Sequence, residues 1–284
     1  MIEAQSVPAS TKEVPAATNI LGSPAEPGIA DVTVLVEFTR NGATNKGAWP
    51  NGLIFGSDGD IYGTTEYGGA NNYGTVFKMT PAGALTTLVE FAGNAPTNSS
   101  AVPRAGLVEG RDGDFYGTAS GGDIGPTGEY NVDKGTVFKL SRSGVFTTLV
   151  RFSENGATNK GCVPYSPLVQ AANGDFYGTT FGGGSGKTVP HPAFHGFGTI
   201  YKMSAAGQLT TLYDFTAHFG MGQGVSPWAG LTLGKDGNFY GSTWSGLGVG
   251  RIIFKLPPKG AMTTLVRGGL KPSDNKGGYV AELL

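Results

Sequence analysis

The chain holds a single cysteine, Cys162, among 284 residues. No intrachain disulfide can form, so its order must come from packing and hydrogen bonds. With no histidine or basic cluster beside it in sequence, that thiol reads as a small buried hydrophobe rather than a nucleophile. Charge is sparse too: Asp, Glu, Lys and Arg make up 14% of residues and the net charge is −1. A nucleic-acid partner would need a basic face, so none is expected. Nowhere do about 18 apolar residues run together, so no membrane span is expected. The three histidines are His191, His195 and His218. Pro190, Pro192 and Gly196 break up the first pair's segment, which forbids the helix on which His-x-x-x-His would share a metal. No carboxylate or cysteine in the same insert completes a site, so neither a metal nor another cofactor is expected.

What the chain has in abundance is glycine, 49 residues of it, arranged in a repeat. Leu53, Leu107, Leu168, Leu231 and Leu283 recur at intervals of roughly 50–60 residues, the spacing of propeller blades. Tyr62, Tyr116, Tyr177 and Tyr240 keep step, each followed by glycine. So do Phe77, Phe138, Tyr201 and Phe254, each followed by lysine, and the leucines of Thr-Thr-Leu at Leu88, Leu149, Leu212 and Leu265. Each unit resolves into four short strands, typified by Gly52–Gly56, Ile61–Thr65, Thr75–Met79 and Leu85–Phe91. Val, Ile, Thr, Tyr and Phe dominate them and no helical period survives. Val76 and Phe77 point to opposite faces of one strand and both are apolar, which suits a sheet packed on both sides. Between the first two strands, Asp58-Gly59 predicts a type I′ hairpin turn, echoed by Asp112-Gly113, Asn173-Gly174 and Asp236-Gly237.

The strings GLIFGSDGDIYGTT and GTVFKMTPAGALTTLVEF, with their later copies, resemble the GloVer tandem repeat of bacterial surface-anchored proteins. The resemblance covers roughly residues 32–284. It implies a propeller-like module outside the cell or on its surface and carries no reaction with it. The expected fold is therefore all-β: a β-propeller of four-stranded antiparallel blades, four complete and a fifth partial, over residues 31–284. Residues 1–30, rich in Pro, Ala and Ser, read as a disordered leader or linker. A strand over Val32–Phe38 is expected to open the array and one over Tyr279–Leu284 to end it, as in a piece of a longer array, the alternative being a complete five-bladed ring with a thin last blade.

Links between the first and second strands, and between the third and fourth, are tight turns. The other two kinds are long and variable, and in an up-and-down blade they emerge on the same rim. A site is expected there, because rigid scaffolds carry function on variable loops. Trp49, Tyr67, Tyr165, His191, His195, Trp228 and Trp244 are the candidate ligand-binding residues. An aromatic ring offers a stacking face beside hydrogen-bonding neighbours such as Asn45, Lys46, Asn159 and Lys160. The plainer alternative is that these rings wedge between blades. Carboxylates on this rim (Glu66, Asp123, Glu129, Asp133, Glu154) show no pair of the kind a glycosidase requires, so no catalytic residue is assigned. The acidic turns lack the further oxygen ligands of a calcium loop and are explained as hairpins. The leading expectation is a non-catalytic module binding a polysaccharide or a surface protein. A propeller-type polysaccharide lyase or glycoside hydrolase, working through His191 and His195 with Tyr130 or Tyr165, and a structural spacer are the alternatives.

Overall fold

Every regular element among the described residues of the computed structural model is a β-strand; those residues are 32–93, 101–121, 134–186, 196–216, 225–243, 251–259, 261–269 and 280–283. The sheets all belong to one compact unit, Leu35–Leu284, and the leader or linker expected over residues 1–30 lies outside the described residues. The first blade comprises β1 (Ala48–Pro50), β2 (Ile54–Phe55), β3 (Ile61–Tyr67), β4 (Thr75–Met79) and β5 (Leu85–Glu90). The second has β6 (Val108–Glu109), β7 (Phe115–Ala119), β8 (Thr136–Leu140) and β9 (Phe146–Arg151). The third runs β10 (Val169–Gln170), β11 (Phe176–Thr180), β12 (Thr199–Met203) and β13 (Leu209–Asp214). The fourth has β14 (Thr232–Leu233), β15 (Phe239–Ser242), β16 (Ile252–Leu256) and β17 (Thr263–Gly269), with β18 (Val280–Leu283) beyond it. Each blade is an antiparallel meander, and the sheets together make the propeller fold.

Tyrosine-glycine earns its place in every blade through the strand opposite. Gly63 lies across from Phe77, Gly117 from Phe138, Gly178 from Tyr201 and Gly241 from Phe254. In each case the tip of the aromatic ring occupies the space that a Cβ on the glycine would take. The tyrosine preceding it turns to the other face and stacks on the next blade: Tyr62 on Phe115 at 3.9 Å, Tyr116 on Phe176 at 4.1 Å, Tyr177 on Phe239 at 4.1 Å. Three interblade cores result, each joining Tyr, Val or Ile from one blade to Leu and Phe of the next. At the two ends of the stack this pattern runs out. Leu53 is 56% exposed and Ile253 46%, whereas Leu107, Val76, Val137 and Ile200 are buried.

The hairpin chemistry differs from the sequence expectation. Gly59 donates to the Gly56 carbonyl and Gly56 to the Asp60 carbonyl, and positive φ is confined to Gly59 at 85°. Asp58 does not take the positive φ that a type I′ turn demands at both central positions. The loop is a β-turn followed by a left-handed glycine, the bulged hairpin for which Asp-Gly serves equally well. Asp58 is free to use its carboxylate instead. It accepts from the Tyr62 hydroxyl at 2.8 Å, Lys78 at 3.1 Å and the Asp60 amide at 3.2 Å. Asp112 and Asp236 repeat the arrangement with Tyr116 and Lys139, and with Tyr240 and Lys255.

Two terminal strands also depart from expectation. Residues 32–39 form no strand. Nevertheless the Leu35 carbonyl approaches Gly83 as the Leu149 carbonyl approaches Gly207, and Val36 and Phe38 pack on Ile61, Phe77 and Met79. The segment occupies an outer-strand position but has no inner strands beside it, so no ladder forms. β18, expected to begin a fifth blade, pairs instead with the open outer edge of β17, Val266 facing Leu283.

Candidate functional site

The long links close on a recurrent backbone device. Trp49, Val102, Val163 and Ser226 all adopt positive φ, between 52° and 59°, and each precedes a proline. For a β-branched valine this conformation is a true outlier, sustained only where its surroundings over-determine it. They do. The Val102 amide donates to the Tyr73 carbonyl, Val163 to Lys134 and Ser226 to Phe197, each bond reaching back to the preceding blade. The threonine after Tyr-Gly supplies another clamp across the same junction. Thr64 donates to the Ala105 carbonyl at 2.9 Å, Thr118 to Ser166 at 3.0 Å and Thr179 to Ala229 at 3.4 Å. The residues after the last three prolines (Arg104, Tyr165, Trp228) are thereby held at blade-to-blade junctions, whereas Asn51 of the first blade reaches the second through its side-chain amide, which donates to the Pro103 carbonyl at 2.8 Å.

From these positions a connected surface assembles across all four blades. Trp49 meets Tyr67 edge-on at 5.0 Å. Burial, then the Glu66 charge, pushes the Tyr67 hydroxyl above the usual phenol range, while the Arg104 charge pulls it back, so this ring lies in the field of both. Arg104 Nε donates to Glu66 Oε1 at 3.0 Å, the two side chains being mostly buried. The same guanidinium lies over the Tyr165 ring at 4.9 Å. Tyr165 in turn touches Trp228 at 4.8 Å and Phe181 at 5.4 Å, and Phe181 meets Trp228 edge-on. Trp49 and Trp228 are 67% and 55% exposed, so neither is a wedge between blades. Tyr73, by contrast, packs into the core between the first two blades.

The surface therefore brings together four of the residues expected from sequence: Trp49, Tyr67, Tyr165 and Trp228. His191, His195, Trp244 and Tyr130 lie outside the described residues. Three members went unpredicted. Glu66 and Arg104 supply the polar bridge between two aromatic groups, and Phe181 completes the second group. Their one sequence signal was position: Arg104 follows the same Val-Pro step as Tyr165, and Glu66 and Phe181 both stand four residues after the repeat tyrosine. Lys46 and Lys160 are committed elsewhere, Lys46 to Glu90 at 2.6 Å and Lys160 to Asp214 at 3.8 Å. Cys162 is buried, and burial pushes its thiol far above the ordinary range, which leaves it neutral and inert. Among the described residues no three His, Cys, Asp or Glu side chains gather as a metal site, and no helix is long and apolar enough to cross a membrane.

Comparison with known proteins agrees with the architecture. No curated protein matches the chain. A structure from Dyadobacter fermentans, described as a protein of unknown function, aligns with a TM-score of 0.50 at 13% identity, over 77% of this chain and 68% of its own. The periplasmic gluconolactonase of Pseudomonas aeruginosa aligns with a TM-score of 0.46 at 16% identity, over 78% of this chain and 57% of its own. At such identities the likeness concerns the fold alone, and this chain spans less than two thirds of the gluconolactonase. The Gloeobacter/Verrucomicrobia repeat is matched over residues 25–188 and again over 127–283. Because these two matches run across nearly the whole chain, on the same periodic markers that build the blades, the protein belongs to the Gloeobacter/Verrucomicrobia repeat family.

Proposed function

We propose that the chain is a non-catalytic binding module whose long-loop surface takes a glycan, outside the cell or at its surface. One observation carries this reading. Two tryptophans are left in solvent beside a proline-locked left-handed residue, which is Trp49 itself in the first blade and, next to Trp228, the Ser226 that is bonded back to the preceding blade. Large apolar side chains that stabilise a fold are normally covered, and a rigid aromatic face beside hydrogen-bonding groups suits the stacking face of a pyranose. The resemblance to surface-anchored repeat proteins supports the setting. Among the described residues no group favours catalysis, and the activity of the gluconolactonase is not carried over.

A glycan array probed with the purified chain tests the proposal. Binding to a discrete set of glycans, lost in Trp228→Ala and weakened in Trp49→Ala, is the expected result. Binding retained in both variants, or none to any glycan, overturns it, and capture of a purified surface protein in place of glycan would do the same.

A further inference from the structure

One contact is made three times over between neighbouring blades. The trailing face of a blade offers a tyrosine and an aliphatic residue: Tyr62 with Val76, Tyr116 with Val137, Tyr177 with Ile200. The leading face of the next blade offers a leucine and a phenylalanine: Leu107 with Phe115, Leu168 with Phe176, Leu231 with Phe239. Each set of four falls in one buried cluster. A hydroxyl seals each junction, Thr64 donating to the Ala105 carbonyl, Thr118 to Ser166 and Thr179 to Ala229.

The first and fourth blades carry the two halves of this contact turned to solvent. In the fourth blade Tyr240 and Ile253 hold the tyrosine and aliphatic positions, paired in the ladder with Lys255 and Ser242 as Tyr62 and Val76 are with Lys78 and Thr64. Tyr240 is half-buried, and Ile253 is 46% exposed where Val76, Val137 and Ile200 are covered. In the first blade Leu53 and Ile61 hold the leucine and phenylalanine positions, and Leu53 is 56% exposed. Phe55, two residues on, is 74% exposed. Its counterparts meet the preceding blade: Glu109 accepts from the Ser57 hydroxyl at 2.7 Å and Gln170 from the Arg111 amide at 3.0 Å. Ser242 and Asn51 stand where Thr64 and Ala105 form their bond, so a donor and an acceptor match as well as the apolar groups. The outer part of the first face is covered by Val36 and Phe38, which pack on Ile61, Phe77 and Met79. Residues 32–39 form no strand, so side chains rather than a ladder hold that segment in place.

We infer that the trailing face of the fourth blade receives the leading face of the first blade of a second copy of this chain. Tyr240 and Ile253 of one copy close on Leu53, Phe55 and Ile61 of the other, and the Ser242 hydroxyl donates to the Asn51 carbonyl. The incoming β17 takes the place of Val36 and Phe38 on the outer part of the face. Continuity fixes the occupant: the surface each end is shaped to meet is the surface at the other end, already joined at three internal junctions. Two apolar faces that a lone chain leaves in water are then covered together. Because the faces differ, the contact is heterologous, and it closes when each copy gives its first blade to the other. The result is a ring of about eight blades, within the range propellers form. Nothing in this inference depends on what the long-loop surface binds.

Sedimentation velocity of the full chain over about 1–100 μM tests it, the expected mass rising from one copy to two. Leu53→Asp and Ile253→Asp each put a carboxylate into the contact and should weaken association about a hundredfold or more, so each alone sediments as a monomer. Both aspartates enter at sites exposed in the single chain, and circular dichroism melts check that the fold persists. Mixed in equal amounts, the two variants should pair again, less tightly than wild type, because the intact fourth-blade face of Leu53→Asp meets the intact first-blade face of Ile253→Asp. Phe38→Ala should tighten association about threefold or more, since it loosens the segment that β17 displaces. Val145→Ser, on a turn of an inner blade, should change nothing. Assemblies longer than two copies, if both aspartate variants abolish them, show the same pairing in an open chain and support the inference. A wild-type chain that stays monomeric throughout overturns it. So does dimerisation of either aspartate variant alone, which would mean that like faces meet, and so does a mixture that remains monomeric or a weaker association in Phe38→Ala.

Discussion

The Trp228 indole rests 4.8 Å from the ring of Tyr165, although the two belong to successive blades and neither is needed to close the core between them. That core is already made by Tyr177 on Phe239, deeper in the same junction. Stability and binding should therefore separate at Trp228. Replacing it with alanine is expected to shift the melting temperature by no more than about 3 °C, as for an exposed site. A fall of 10 °C would show that the indole holds the blades together.

Tyr201 presents the opposite case. Its ring fills the position held by Phe77, Phe138 and Phe254 in the other blades, but its hydroxyl is fully buried and has no partner among the described residues. An unsatisfied buried hydroxyl costs about 1–3 kcal/mol. Tyr201→Phe should accordingly raise the unfolding free energy by about 1 kcal/mol in a urea melt. Tyr116→Phe, which deletes a hydroxyl bonded to Asp112 at 2.7 Å, should lower it by a similar amount. Loss of stability in both variants would mean that the Tyr201 hydroxyl is satisfied after all.

How much of this was legible beforehand follows from the range of the interactions. The blade meander depends on neighbours a turn apart, and the Asp-Gly, Tyr-Gly and Phe-Lys markers report those directly. The strand over Val32–Phe38 failed because its pattern is that of an outer strand, while a ladder also needs inner strands beside it. The turn type failed for a narrower reason. Asp-Gly suits both hairpin loops, and the choice turned on Asp58 binding Tyr62 and Lys78, contacts with two other strands. In the site, exposed aromatics could be picked out by residue type, but Arg104 and Glu66 meet only because two blades abut.

Gly117 tests the packing logic of the blade interior. Its φ is ordinary, so alanine would be tolerated by the backbone; the obstacle is the Phe138 ring, whose tip lies where the new methyl must go. Overpacking of this kind costs about 1–3 kcal/mol. Gly117→Ala should lose that much in a denaturant melt, and the loss should shrink when Phe138→Leu is already present, giving a clear coupling energy. Additive losses would mean that the ring is not what requires glycine here.

Cys162 should stay silent until the fold opens. It is buried beside Val163, in a cluster with Tyr165 and Phe181, and its thiol is held far on the protonated side by burial. A thiol reagent at pH 8 should leave the native chain unmodified over the time in which the denatured chain reacts completely. Rapid labelling of the native chain would show that this part of the loop rim opens readily.

Acid should reveal the turn aspartates, because three blades carry them and one does not. At Asp58 burial works to raise the pKa, but the Tyr62 hydroxyl, Lys78 and the Asp60 amide outweigh it and hold the group at about 2. Asp112 and Asp236 are lowered as well: at Asp112 burial is again overcome, by Tyr116 and Lys139, and at Asp236 the lowering comes from Asn238, Lys255 and Tyr240. A carboxylate whose folded pKa lies below its ordinary value contributes stability above that ordinary value and loses it as pH falls through the folded one. The melting temperature should therefore decline from about pH 4 down to about pH 2, and less steeply in Asp58→Asn. The third blade has Asn173 at this position, bonded to Asp175, while Lys202 pairs with Asp175 at 3.6 Å. Asn173→Asp would place a carboxylate between Tyr177 and Lys202, matching the other blades. It should raise the melting temperature near pH 7 and lose that gain by pH 2, whereas a gain that persists in acid would assign it to turn geometry rather than to the charged network.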